Sequence, residues 1–154
     1  MIAVLLAAAG LSLSSPAFAR RGAIPKRFTC DGAGGSPPLR WTAPPRGTWS
    51  YALEVVDLDT PLLFKHWLAW GISRRSRALA AGARPPRQGR NDFGRVGWAG
   101  PCPPSGEKHR YDFLLFALRK PLGLRNAATY RQFRRALRGH VLRSTSLQGT
   151  YRRG

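Results

Sequence analysis

Tyr111-Asp112-Phe113-Leu114-Leu115-Phe116-Ala117-Leu118 is the stretch on which the fold turns. A strand sends successive side chains to opposite faces, so a strand with one wet face alternates apolar and polar residues. This one does not: apart from Asp112 it is apolar on both faces. Such a pattern suits a central strand of a sheet that is packed on both sides.

Working outward, Tyr51 to Val56 reads as a second strand, rich in β-branched and aromatic residues and ending at Asp57. His66 to Ile72 is a third, with Trp67 and Trp70 available for packing, and Val141 to Tyr151 a fourth. Leu11 to Phe18 alternates like an edge strand, and Trp41 enters the core after a loop-rich stretch from Ile24 to Leu39. Pro44 to Thr48 reads as a turn. Residues 74 to 91 are polar, Arg-rich and aperiodic, which predicts a long surface loop; Asn91 to Gly94 and Gly97 to Gly106 continue in loop chemistry. One segment asks to be a helix: Thr129 can cap it, Tyr130, Phe133 and Leu137 share a face, and Gly139 can end it.

Thirteen prolines and seventeen glycines, spread along the chain, suit short strands joined by turns and disfavour an all-helical fold. The fold class expected is therefore mainly β, an antiparallel β-sandwich with Greek-key connections and a short helix near the C-terminus. With 154 residues, 43% of them hydrophobic, the chain can build one self-sufficient core, and residues 11–154 read as a single domain.

The net charge of +19 comes from 26 basic against 7 acidic residues. That excess would ordinarily suggest nucleic acid or an anionic surface. Yet only Lys26, Lys65, Lys108 and Lys120 are lysines, and the arginines are scattered from Arg20 to Arg153 without a compact basic arm. A solvated basic surface is the reading, with no specific nucleic-acid partner. Residues 1–10 contain an apolar run, Ile2 to Ala9, and read as a short signal segment, placing the protein in the periplasm or outside the cell; a cytoplasmic location is the alternative. Cleavage after Ala19 would remove the first strand, whereas a cut near Ala9 or Gly10 would spare it. The apolar run falls well short of the ~20 residues a membrane span needs.

Asp57-Leu58-Asp59-Thr60-Pro61 sets two carboxylates at a spacing that, on extended chain, turns both to one face. Such a pair would meet a cation, a metal or ligand donors, or keep a proton on one member. It reads equally well as a turn in which each Asp accepts from backbone N–H groups. His66 opens an apolar strand, where a lone histidine is more often structural than functional. Gly100-Pro101-Cys102-Pro103-Pro104-Ser105-Gly106 is a stiff loop whose exposed N–H groups could cradle an anion, or a rigid connector and no more. His109-Arg110-Tyr111 follows, and alternation predicts His109 and Tyr111 on one face with Arg110 on the other. No G-x-S-x-G elbow, activated cysteine or zinc spacing is present, so neither an enzyme nor a metal or cofactor protein is expected.

Taken together, the D-x-D-x-P segment from Asp57, the His66-Trp67 strand start and the run Gly100 to Gly106 leading to His109-Arg110-Tyr111 resemble, in that order, the phosphatidylethanolamine-binding protein family in its bacterial Raf-kinase-inhibitor-like branch. Further matches are Leu11 to Phe18, Ile24 to Gly32, Ser36 to Leu39, Asn91 to Gly94, and Gly139 to Leu142 continuing to Gly149-Thr150-Tyr151. The resemblance implies a β-sandwich built around a large antiparallel sheet, with a small anion pocket at one end that takes phosphate or a phospholipid head group. Asp57, Asp59, His66, Pro103, Pro104, His109 and Tyr111 would line it, while Arg110 would brace the loops from behind. It also sets the loops of Cys30 and Cys102 near that pocket, so that in an exported chain these two form the candidate disulfide. Leu58 between the aspartates, the short stretch from Pro61 to His66, and Gly71 in place of a common asparagine depart from the family pattern.

The function expected is a non-enzymatic binding protein for a small phosphate-bearing ligand or phospholipid head group such as phosphoethanolamine. The alternative is a protein-interaction or inhibitor module that reads a phosphorylated or other protein partner. Oligomeric state is not legible.

Overall fold

The structure, a computed structural model, describes residues 10–154. The apolar run of the signal reading thus lies outside the described residues. Eight strands and one α-helix form two antiparallel sheets: β1 (Leu13–Ser14), β2 (Leu39–Trp41), β3 (Ser50–Asp57), β4 (Lys65–Ser73), β5 (Ala78–Leu79), β6 (Arg87–Gln88), β7 (Lys108–Leu118), α1 (Tyr130–Leu137) and β8 (Val141–Arg152). The larger sheet has the order β6-β4-β3-β7-β8 and the smaller β1-β2-β5.

The strand read as central is central: β7 lies between β3 and β8, pairing Tyr111 with both Asp57 and Gly149. Its two apolar faces serve two cores. Tyr111, Phe113, Leu115 and Ala117 pack toward the smaller sheet with Leu13, Leu39, Trp41, Tyr51 and Trp67. Phe116 and Leu118 turn the other way, onto Ala52, Leu68, Trp70 and the helix residues Phe133 and Leu137. All of β3 is buried for the same reason. Each fully buried large side chain contributes about 1.5–3 kcal/mol relative to exposure, so this double cover is the main source of stability.

The helix forms where its caps ask for it. The Thr129 hydroxyl accepts from the Gln132 N–H, and the Gln132 side chain accepts in return from the Thr129 N–H. Arg134 of α1 reaches back to Glu54, a carboxylate only 4% exposed on the outer face of β3, at 3.3 Å.

Two expectations need correction. Leu11 to Phe18 pairs only at Leu13–Ser14, because Pro16 has no N–H to donate and Ser15 turns its hydroxyl to the Pro38 carbonyl. It is nevertheless an edge, and Leu11, Leu13 and Phe18 are core residues. The loop from 74 to 91 contains β5 and β6, each only two residues long and set by the neighbours they pair with, β2 and β4. Gly71 sits at φ +69°, a conformation that glycine and asparagine tolerate best, which accounts for either residue at this bend in β4.

Candidate functional site

The ends of three neighbouring strands converge at one end of the larger sheet. β3 ends at Asp57, β4 begins with Lys65 and His66, and β7 begins with Lys108 and His109. A cavity of about 150 Å³ opens there, lined by Asp57, Thr60, Phe64, His66, Phe93, Cys102, Pro103, Pro104 and His109. The strands fix its floor and the 100–106 loop its rim. That loop is docked tightly: a Cβ at Gly100 would lie 2.5 Å from the Phe28 carbonyl oxygen. Next to it the Cys30–Cys102 disulfide ties the loop to the 29–34 segment, with Cα atoms 5.4 Å apart.

His66 is 3% exposed, and its Nδ1 donates to the Ala99 carbonyl at 2.7 Å. The tautomer is thereby set, leaving Nε2 without a protein partner among the described residues. Burial pulls the ring's pKa below the ordinary imidazole value, against smaller opposing effects of the Ala99 carbonyl and Asp57. The ring is therefore neutral, and its Nε2 can accept.

His109 is the opposite case. Desolvation pulls its pKa down, but hydrogen bonds to Asp57 at 2.6 Å and Glu107 at 2.9 Å outweigh it and hold the pKa above the ordinary value. Both ring nitrogens meet carboxylates, so both donate and the ring is a cation clamped between two anions.

The two aspartates diverge. Asp57 closes the turn, its Oδ1 accepting from the Asp59 N–H at 2.9 Å and its Oδ2 facing His109. Asp59 lies outside the cavity lining and grips Arg110, accepting from the Arg110 backbone N–H at 2.7 Å and from its guanidinium at 2.8 Å. Arg110 lowers the Asp59 pKa by these bonds. Spacing on extended chain does not apply, because β3 stops at Asp57 and Asp59 is in the turn. Tyr111 stands behind the wall, edge-on to His66 with centroids 5.3 Å apart. Its hydroxyl is buried without a partner among the described residues, and burial together with Asp57 raises its pKa.

Sequence reasoning missed Thr60, Phe64 and Phe93. Thr60 Oγ1 donates to the Asp57 carbonyl and accepts from the Phe64 N–H, which packs Phe64 against Phe93 with centroids 4.7 Å apart. Phe93 carried a signal, an aromatic inside the Asn91-Asp92-Phe93-Gly94 turn where nothing local needs one. Of the lining residues Phe93 is exposed, as are Leu62 and Leu63 in the turn that leads to Phe64.

A two-sheet antiparallel sandwich with a small walled cavity at the strand ends is the architecture of a ligand-binding domain. A profile of the phosphatidylethanolamine-binding protein family matches residues 14–152, and the chain belongs to that family, whose members are generally ligand-binding proteins. A protein of Methanothermobacter thermautotrophicus is 43% identical over 152 residues, spanning 94% of this chain and all of that one. Among solved structures, a phosphatidylethanolamine-binding protein homologue of Chlamydia trachomatis superposes with a TM-score of 0.89 at 37% identity, covering 94% of this chain and 99% of its own. Escherichia coli YbcL, described as a member of the mammalian family, superposes with a TM-score of 0.87 at 26% identity, covering 95% of this chain and 100% of its own. No described helix is long and apolar enough to cross a membrane.

Proposed function

We propose that the protein is a non-enzymatic receptor for a small phosphate-bearing ligand, free phosphate or a phospholipid head group such as phosphoethanolamine, held in the cavity at the strand ends. The observation that carries the reading is His66: a buried imidazole in the cavity lining, with one nitrogen fixed by the Ala99 carbonyl and the other without a partner among the described residues. A fully ionised phosphate would meet the Asp57 carboxylate and an acceptor nitrogen, both unfavourable. Binding therefore brings a proton, either on the phosphate as P–OH donating to Nε2 or on the ring itself. The His109 ring, a donor in the cavity lining, adds positive charge beside the ligand, and the ammonium of ethanolamine would find Asp57. The Cys30–Cys102 disulfide supports an oxidising location, periplasmic or secreted.

Proton-linked binding has a definite sign. The free ring's pKa is lowered by burial, and a bound anion raises it, so affinity is greatest below the free-state value, falls with pH between the two values and levels off above the bound-state one. Sulfate does not titrate in this range and isolates the ring's contribution. Calorimetric titration with phosphate and sulfate from about pH 5.5 to 8.5, which spans the usual imidazole range, is expected to show this fall. His66→Ala is expected to weaken binding about tenfold or more, the worth of one charged hydrogen bond. Affinity that is flat with pH and unchanged in His66→Ala would overturn the reading.

The exposed Phe93 in the lining, with Leu62 and Leu63 exposed in the turn before Phe64, favours one second reading, a protein-interaction module whose partner covers that rim. It separates from the first by His66: a partner bound through the rim alone leaves the His66 resonances unmoved.

A further inference from the structure

A second cavity, of about 380 Å³, shares no lining residue with the first. Its wall includes Gly34, Ser36, Gly82, Arg84, Gln88 and Trp98. The Ser36 hydroxyl is buried in a residue 2% exposed and has no hydrogen-bond partner among the described residues; the Trp98 indole N–H is equally orphaned. A buried polar group left unpaired is costly, which makes two in one wall a statement about what the wall is for. Indole nitrogen can only donate. Gln88 has its carbonyl oxygen occupied by the Trp67 indole N–H at 2.7 Å, so its free capacity is the donating NH₂. Arg84, exposed at the mouth, forms no hydrogen bond or ion pair with another described residue, and no carboxylate belongs to the lining. The indole N–H, the amide NH₂, the guanidinium and a hydroxyl able to donate are thus gathered with no carboxylate among them.

The wall is also held still. Trp98 packs edge-on against Trp67 with centroids 5.6 Å apart and lies over Phe113, while the Ser36 carbonyl accepts from the Gly82 N–H at 2.8 Å and ties the two sides together. We propose that this second cavity binds a small oxyanion, a carboxylate or phosphate group, through the Trp98 indole N–H, the Ser36 hydroxyl, the Gln88 amide and the Arg84 guanidinium. The site is independent of the His66 cavity and stands or falls without it.

The five tryptophans give separable indole N–H signals in a nitrogen-correlated NMR spectrum. Titrating with inorganic phosphate and, separately, with citrate at physiological ionic strength is expected to move the Trp98 indole proton along a saturable curve, and the tighter anion identifies the group preferred. Arg84→Gln, at an exposed position, is expected to weaken that curve about tenfold, and Ser36→Ala to weaken it less while keeping the melting temperature. His66→Ala is expected to leave it in place. A Trp98 signal unmoved by both anions overturns the proposal. So does a shift that is equal in Arg84→Gln, which would mark diffuse association with the basic surface, or one that vanishes in His66→Ala, which would make it an echo of the first cavity.

Discussion

Four titratable residues at the strand ends show how one small region assigns opposite duties to like groups. His109 takes its charge from Asp57 and Glu107, whereas His66 loses its charge to burial. Their contributions to stability then run oppositely with pH. The raised pKa of His109 contributes stability that is complete below the ordinary value of about 6.5 and is lost as pH rises through the folded value. The lowered pKa of His66 favours folding above that ordinary value and withdraws support as pH falls below it. His109→Gln should therefore lose more stability, relative to wild type, at about pH 5.5 than at about pH 8.5, measured by urea titration. A gap that widens with pH would contradict the clamp. The sequence placed His109 and Tyr111 on one face and Arg110 on the other by alternation alone, and the strand obeys. It could not separate Asp57 from Asp59, because the same two letters describe paired carboxylates on a strand and a turn that spends each one differently. Asp59→Ala, which frees Arg110 at the surface, should leave phosphate affinity and the melting temperature nearly unchanged, whereas Asp57→Asn should disturb both by uncoupling His109.

Elements were legible where a pattern had length to work on. Seven apolar residues in a run of eight, on both faces, marked β7, and Thr129 ahead of the apolar face of Tyr130, Phe133 and Leu137 marked the start of α1. Thr129→Ala removes the hydroxyl half of the capping box, leaving the Gln132 side chain on the backbone N–H of residue 129, and should cost about 1 kcal/mol, read as a shift in the denaturant midpoint. β5 and β6 left no trace because a two-residue strand has no periodicity; its existence is decided by the edge it meets, and Arg87–Gln88 pairs because Ala69 and Trp70 are there. The disulfide was legible only through the likeness to a known family, since nothing local brings together cysteines 72 positions apart. Closing a loop of that length contributes about 4 kcal/mol in the chain-entropy model. Reduction, or Cys30→Ala with Cys102→Ala, should thus lower the melting temperature by roughly 10 °C and loosen phosphate binding, because Cys102 is part of the rim. Unchanged binding after reduction would show that Gly100 and the prolines hold the loop unaided.

At the scale of the molecule, the sandwich depends on a segment that barely registers as secondary structure. Only Leu13–Ser14 joins a ladder, yet Leu11, Leu13 and Phe18 are each less than a tenth exposed, and Phe18 packs on Phe113 of the central strand with centroids 5.6 Å apart. The approach is close enough that a Cβ on Gly149 would lie 2.8 Å from the Phe18 ring. Removing the segment strips cover from one face of β7 and bares β2, whose only other partner is the two-residue β5. Three buried side chains at about 1.5–3 kcal/mol each represent a large share of the ~5–15 kcal/mol by which a domain of this kind is stable. Hydrogen bonds add to the loss, since Thr42 Oγ1 donates to the Gly10 carbonyl and accepts from the Ser12 N–H, and Ser15 holds Pro38. A chain beginning at Arg20 should therefore melt well below one beginning at Gly10, or fail to melt cooperatively, and should associate through the exposed edge of β2. Calorimetry and light scattering on the two chains decide it. Equal cooperative melting would mean that the smaller sheet merely decorates a self-sufficient five-stranded core.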